Sequence, residues 1–283
     1  ITEADDLTVD DVAAVAVQQV GANGQTTAVS DAAQSDVRTG SNGDVILVTT
    51  DGAITLEDGT VTDDGTAVLA HGSGKVLIDA NGAGNDVTVN GAITSTSGDI
   101  TLSAAHTVVL NANVTTGTPG TVLVDAKGGA LTMLGGAYLT ATDSSARLQA
   151  SGDVTLGNVV ASHVSIDSST GGVVNAADSS KNVTATHLRI DVDDAVASGV
   201  RHLSTHVATL SVNSDGTDSA GVYVTEDNDL VIGDVAVVTV KRVASDASTT
   251  DVSDAAVQAD VTTGNDGDVV LVTTSGNMTL NGG

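Results

Sequence analysis

The sequence predicts an all-β chain wound as a parallel β-helix, a β-solenoid with coils of about 22 residues. Three observations predict it. Short runs of Val, Ile, Leu and Thr recur between Gly, Asn and Asp, which is the grammar of strands and sharp turns. The runs return at two periods, one short and one long. The chain also has no Phe, no Trp and only two Tyr, so no aromatic side chains fill its core. Small β-branched and aliphatic residues suit a narrow interior tiled by similar layers.

Residues 43–59 set the pattern. They read GDVILVTTDGAITLEDG, two apolar runs parted by the turn signal Asp51-Gly52. Residues 267–283 repeat the phrase as GDVVLVTTSGNMTLNGG, with shorter echoes at 98–102 and 152–156.

The long period emerges when the two ends are aligned. Residues 1–20, ITEADDLTVDDVAAVAVQQV, match 224–243, VTEDNDLVIGDVAVVTVKRV. The match continues through 26–33 and 249–256, and one extra residue then shifts the offset from 223 to 224. Residues 1–223 thus read as one long unit. Residues 224–283 read as the start of a second copy, continuous with the first. The chain is expected to be a window on a longer protein, because it opens and closes inside patterned segments.

The short period appears as two strand series. One starts near Val45, Val68, Val87, Val108, Leu131 and Val154; the other near Ile54, Val76, Ile100, Val122, Leu148 and Val164. Each coil would give one strand to each of two faces and a shorter strand to a third. Corners are expected at Asn81-Gly82, Asn90-Gly91, Gly128-Gly129 and Gly135-Gly136, since Gly and Asn tolerate left-handed backbone. The rhythm loosens over 176–221, and residues 10–40 and 234–263 are less regular. Residues 12–20 are expected to form a long strand in preference to a short helix, and 30–36 a loop or protrusion from the stack.

Charge narrows the partners. Net charge is −27, and of the 36 acidic residues only Glu3, Glu57 and Glu226 are Glu, leaving 33 Asp. Asp favours turns because its short carboxylate bonds nearby backbone N–H groups. The acidity therefore reads as a turn acidity repeated many times; a halophile surface is the other explanation. Nine Lys and Arg cannot neutralise a phosphate track, so nucleic acid is excluded as a partner and anionic membranes are disfavoured. There is no Cys, which fits an extracellular chain. No apolar run is long enough to span a bilayer as a helix.

The repeated GD-[VI]-x-L-x-T and G-x-[IV]-T-L phrases, with NGAITSTSGDITLSAA at 90–105 and SGDVTLGNVVASHVSIDSSTGG at 151–172, resemble filamentous-haemagglutinin-like bacterial exoproteins. The resemblance is one of repeat texture over most of the chain, without a catalytic signature. It implies a right-handed β-helix, secretion or cell-surface display, and a role in adhesion, cell–cell contact or an outer matrix. It also implies self-association or neighbouring cell-surface molecules as partners.

Candidate chemistry is sparse. His202 and His206 lie four apart, but Leu203 stands where the zincin helix needs Glu, and two solvent-facing strand residues are the plainer reading. Arg189 and Asp191 share a strand face beside Asp193 and Asp194, the best local likeness to the basic and acidic groove of a β-helix polysaccharide lyase. A surface ion pair beside an acidic turn is the plainer reading there too. Residues 81–86, NGAGND, resemble one imperfect copy of the Ca²⁺-binding nonapeptide of RTX proteins. The pairs Asp5-Asp6, Asp10-Asp11, Asp63-Asp64 and Asp227/Asp229 are further places where Ca²⁺ could gather. No catalytic or cofactor-binding residue is assigned, no cofactor is required, and no metal ligand is fixed. The expectation is a non-enzymatic structural or adhesive rod. A Ca²⁺-joined filament or sheath subunit is the main alternative, and a polysaccharide-degrading β-helix enzyme a third.

Overall fold

The computed structural model describes the chain apart from residues 63, 178, 217–219 and 283 and the side chain of Thr62. The described residues hold no α-helix; a single 3-10 turn covers Thr60–Thr62. Among the described residues no helix is long and apolar enough to cross a membrane.

Three parallel ladders wind round one core, as in a β-solenoid. The first face stacks Val45–Thr49, Val76–Ala80, Ile100–Ala104 and Val122–Ala126, then residues 146–150, 164–168, 188–192 and 210–214. The second stacks Thr66–Ala70, Ala92–Ser95 and Val114–Thr116, then residues 139–141, 159–161, 183–185 and 205–207. The third stacks Leu7–Val9, Ile54–Leu56, Val87–Val89, Val108–Leu110, Leu131–Met133, Val154–Leu156 and Val173–Asn175. Because side chains alternate along a strand, every second residue enters the core. Ile78, Leu102, Val124, Leu148 and Ile166 form one such interior column, each fully buried.

The sequence had placed Val45 with Val87 and Ile54 with Val76. The structure exchanges them: Val45 pairs with Val76, and Ile54 with Val87, while Val68, expected in the same series as Val45 and Val87, pairs with Ile93 on the second face. The acidic segment between Leu56 and Thr66, with its 3-10 turn, lengthens the first coil beyond the regular period. Strand counting at a fixed step therefore slips one face there. The corner reading holds at Gly82, whose φ is +90°. Gly98 answers a different need: a Cβ there would lie 2.1 Å from the Gly74 carbonyl oxygen one coil away.

The Asp bias has a structural cause. Asp44 Oδ1 accepts the N–H of Lys75 at 2.8 Å, Asp86 that of Thr107 at 2.8 Å, Asp99 that of Thr121 at 2.9 Å and Asp153 that of Gly172 at 3.0 Å. Each carboxylate precedes a strand and caps the start of the next coil. Asp6 and Asp229 do the same for Ala53 and Asn277. Asp99 also accepts from Thr121 Oγ1 at 2.9 Å. Asp99→Ala is expected to lower stability by about 1–3 kcal/mol, because a half-buried N–H loses its acceptor. Urea unfolding of the variant checks this.

The faces do not run straight through the repeat. Val222–Glu226 adds to residues 203–205 on the second face, and Val269–Thr273 adds to Val222–Glu226 in turn. Its counterpart in the first copy, Val45–Thr49, belongs to the first face. Leu230–Ile232 and Met278–Leu280 continue the first face, whereas their counterparts Leu7–Val9 and Ile54–Leu56 lie on the third. Val261–Thr263 also adds to the first face, at residues 212–214, whereas its counterpart Val37–Arg38 lies on the second.

Two antiparallel hairpins leave the stack. Ala16–Val20 pairs with Thr26–Ser30, and Thr239–Val243 pairs with Thr249–Ser253. They occupy the same place in the two copies. The long strand expected over 12–20 is therefore a bridge at Val12 followed by the five-residue outgoing arm of a hairpin. Residues 30–36, expected to be a loop or protrusion, return from that hairpin to the coil, where Val37–Arg38 resumes the stack. Val and Thr alternate with Ala and Gln here, which reads as strand; nothing local distinguishes a coil strand from a hairpin arm.

Candidate functional site

The most elaborate polar constellation lies where the second hairpin folds back over the first face. Outward-pointing side chains of that face meet it. Thr121 Oγ1 accepts the Lys241 N–H at 2.8 Å, and Thr101 Oγ1 accepts that of Val243 at 2.9 Å. Arg242 bonds Asp125 at 2.9 Å, and Lys75 Nζ donates to the Ala247 carbonyl at 2.7 Å. Val243 packs with Val48, Leu77 and Ile46 in a small apolar cluster outside the coil.

At the base of the hairpin, Asp254 is buried between two buried arginines. One oxygen accepts from Arg147 and from Ser165 Oγ, the latter at 2.7 Å; Arg189 Nε lies 3.7 Å from it. The other oxygen accepts the Val238 N–H at 2.8 Å. Arg189 also donates to the Ala256 carbonyl at 2.8 Å and to Asp191 at 2.9 Å. Burial pulls the Arg147 pKa below its ordinary value, with Asp167 opposing. Burial also raises the Asp167 carboxyl, again with Arg147 opposing. Arg147 keeps its charge, since arginine stays protonated across the accessible range.

Arg189 and Asp191, the lyase-like pair, do come together. However, Arg189 is 6% exposed and is covered by the segment that follows the hairpin, through its bond to the Ala256 carbonyl, so its guanidinium is not open to a groove. Asp193 and Asp194 follow at the corner, their N–H groups bonded to the Ser168 and Gly171 carbonyls. Arg147 and Asp254 were not singled out from the sequence. The repeat offered a partial signal, because Asp31 and Asp254 match. Nothing in sequence links Asp254 to an arginine 107 positions earlier.

The two histidines part company. His202 Nδ1 lies 2.9 Å from Thr225 Oγ1, and its ring tilts over Tyr223. His206 Nδ1 lies 2.6 Å from Asp227, which also holds Lys181. Asp227 is held below the usual carboxylate range by Lys181 first and His206 second. His206, Glu226 and Asp227 bring ligand-type atoms within 4.8 Å of one another, as do Asp36, Asp58 and Asp64. In the first group Glu226 already accepts from Thr205 Oγ1 and three backbone N–H groups. In the second, Arg38 bridges Asp36 and Asp64.

Several of the remaining Ca²⁺ candidates serve turns. Asn81 and Asn85 lock the corner at 81–86 through their side-chain amides, and Asp86 caps the next coil. Asp11 accepts from Thr60 Oγ1, which holds its carboxyl below the ordinary range. Asp10 turns back to the Asp11 N–H at 2.7 Å, and Asp6 caps Ala53. Asp63 lies outside the described residues. No family model, curated protein or solved structure matches the chain.

A histidine pair, absent from the sequence reading as a unit, sits on two neighbouring strands. His163 and His187 stack with ring centroids 4.9 Å apart and planes 3° from parallel. Burial first, and the charge of His187 second, hold His163 below its ordinary pKa of 6.5. The unfolded chain then binds the extra proton, so stability from this group is fully present above pH 6.5 and is lost as pH falls through the lower folded value. His163→Gln is expected to remove that part of the acid sensitivity. Proton NMR titration of His163 should give a midpoint below 6.5, and a midpoint at or above it would contradict desolvation as the cause.

Proposed function

We propose that the chain is a structural segment of a large secreted or cell-surface bacterial protein. Its work is to extend a stiff rod for cell–cell or surface attachment, or within an extracellular fibre. The observation that supports this most is the junction. Strands of the second copy add directly to the open edge of the first, at residues 203–205, 209–210 and 212–214, and keep the same parallel pairing. A solenoid that accepts its own repeat in this way extends by addition of units, each covering its neighbour's unpaired edge. The texture of the sequence favours surface display, and the absence of Cys agrees with it.

Electron microscopy of the native parent material, with and without a Ca²⁺ chelator, tests the proposal. Thin fibres that survive chelation are the expected result. Fibres that fall apart on chelation would favour the Ca²⁺-joined sheath. Compact, isolated particles under both conditions would sink the rod.

A further inference from the structure

We propose that the first hairpin, residues 16–30, is a clasp that docks on the first face of another copy of the same repeat unit. The proposal rests on the rod reading and adds the contact that locks consecutive units together. Its occupant is fixed by an interface already present in the molecule: the second hairpin on the flank of the first copy.

The two hairpins, with the segments that lead into them, differ in one respect that matters. Val235, Val238, Val240 and Val243 are 0%, 2%, 1% and 2% exposed. Their counterparts Val12, Val15, Val17 and Val20 are 62%, 58%, 58% and 68% exposed. Four valines in the same places are covered in one copy and bare in the other. A run of exposed apolar residues on one element marks a contact surface.

The polar anchors are equally half-made. Asp31 accepts the Val15 N–H at 2.7 Å, as Asp254 accepts that of Val238. Its second oxygen accepts nothing among the described residues, whereas that of Asp254 takes Arg147 and Ser165. Glu3 accepts the Ala4 N–H at 2.8 Å, as Glu226 accepts that of Asp227. The other oxygen of Glu226 takes Thr205 Oγ1 and the Val207 N–H from the preceding coil; that of Glu3 takes nothing among the described residues. Thr2–Glu3 pairs with Val48–Thr49 on one side, while its counterpart in the second copy is paired on both. Edge, carboxylates and valines all lack the same neighbour. Residues 203–207 and the Arg147/Arg189 flank of another copy supply each of them. Gln18 and Gln19 replace Lys241 and Arg242, so the clasp keeps the valines and Asp31 but not the Arg242–Asp125 pair.

The chain has no Cys, so a single thiol reports the docking. Val20→Cys is placed in the 283-residue chain, and in the same chain preceded by one further copy of residues 1–223. Val243→Cys in the 283-residue chain is the covered reference. Val20→Cys is expected to react with a thiol reagent at the rate of a free cysteine in the shorter chain. In the longer chain it should react at least about a hundredfold more slowly, close to the reference. Arg147→Ala with Arg189→Ala in the added copy should restore the fast rate. A fast thiol on a rod that electron microscopy shows lengthened and continuous would overturn the clasp and leave the rod standing. A longer chain that forms two separate bodies, or fails to fold, would overturn both, since its new junction repeats the sequence of the existing one.

Discussion

Asp254→Ala is expected to undock the second hairpin while leaving the coil stack folded. The reasoning starts from the two arginines. Arg147 and Arg189 are both buried beneath the hairpin, and Asp254 is the carboxylate between them. Removing one partner of a buried ion pair costs about 3–5 kcal/mol, because the charge left behind stays desolvated. Here the molecule has an escape. The hairpin packs on the outside of the coil, so lifting it returns both guanidiniums to water. The loss is therefore capped by the docking free energy, and it appears as local opening rather than global unfolding. Hydrogen exchange should show amides of 239–253 losing protection while Leu102 and Leu148 and their strands keep theirs. Equal loss in both places would mean that the hairpin and coil form one cooperative unit. The opposite change is informative too. Replacing Arg147, Arg189 and Asp254 together by apolar residues of similar size should be neutral or stabilising, since none of the three would then need desolvating as an ion.

The legible part of this architecture was the part built by local rules. Val, Ile and Leu alternate with Thr where strands enter the core, and Gly and Asn mark corners, so the three-faced coil could be read from single residues. The Asp bias was legible as turn chemistry as well; Asp44, Asp86, Asp99 and Asp153 cap the next coil. What escaped was long-range. The hairpin arm 16–20 uses the same residue types as a coil strand, and only its antiparallel partner at 26–30 tells them apart. The slip that exchanged Val45 and Ile54 came from one irregular coil, which a fixed period cannot see. Arg147 was passed over because its partner lies in the next repeat. Arg189 and Asp191 drew attention for sharing a strand face two residues apart, although the groups that meet Arg189 from outside the coil, Asp254 and the Ala256 carbonyl, are also far away in sequence.

Position 226 gives the sharpest comparison, because the repeat supplies its own control at position 3. Glu226 is fully buried at the junction of the two copies. It accepts from Thr205 Oγ1 at 2.8 Å and from the N–H groups of Val207, Asp227 and Asn228 at 2.9, 2.8 and 3.2 Å. Glu226→Ala leaves three backbone donors without this acceptor, each costing about 1–3 kcal/mol where water cannot replace it. Water entering the space left by the side chain would recover part of the loss, so the expected total is about 3–5 kcal/mol, set by the donors that stay dry. Glu226→Gln should cost less than alanine, because its carbonyl oxygen still accepts while its amide meets donors on the other side. Glu3→Ala is expected to cost less than about 1 kcal/mol, since among the described residues Glu3 receives only the exposed Ala4 N–H. Urea unfolding of the three variants gives the order directly. If Glu3→Ala and Glu226→Ala cost the same, burial at the junction contributes nothing, and the idea that successive units are sealed by this carboxylate fails. If the order holds, the same glutamate is idle at an open edge and structural at a closed one, which is the behaviour required of a residue that acts only when units join.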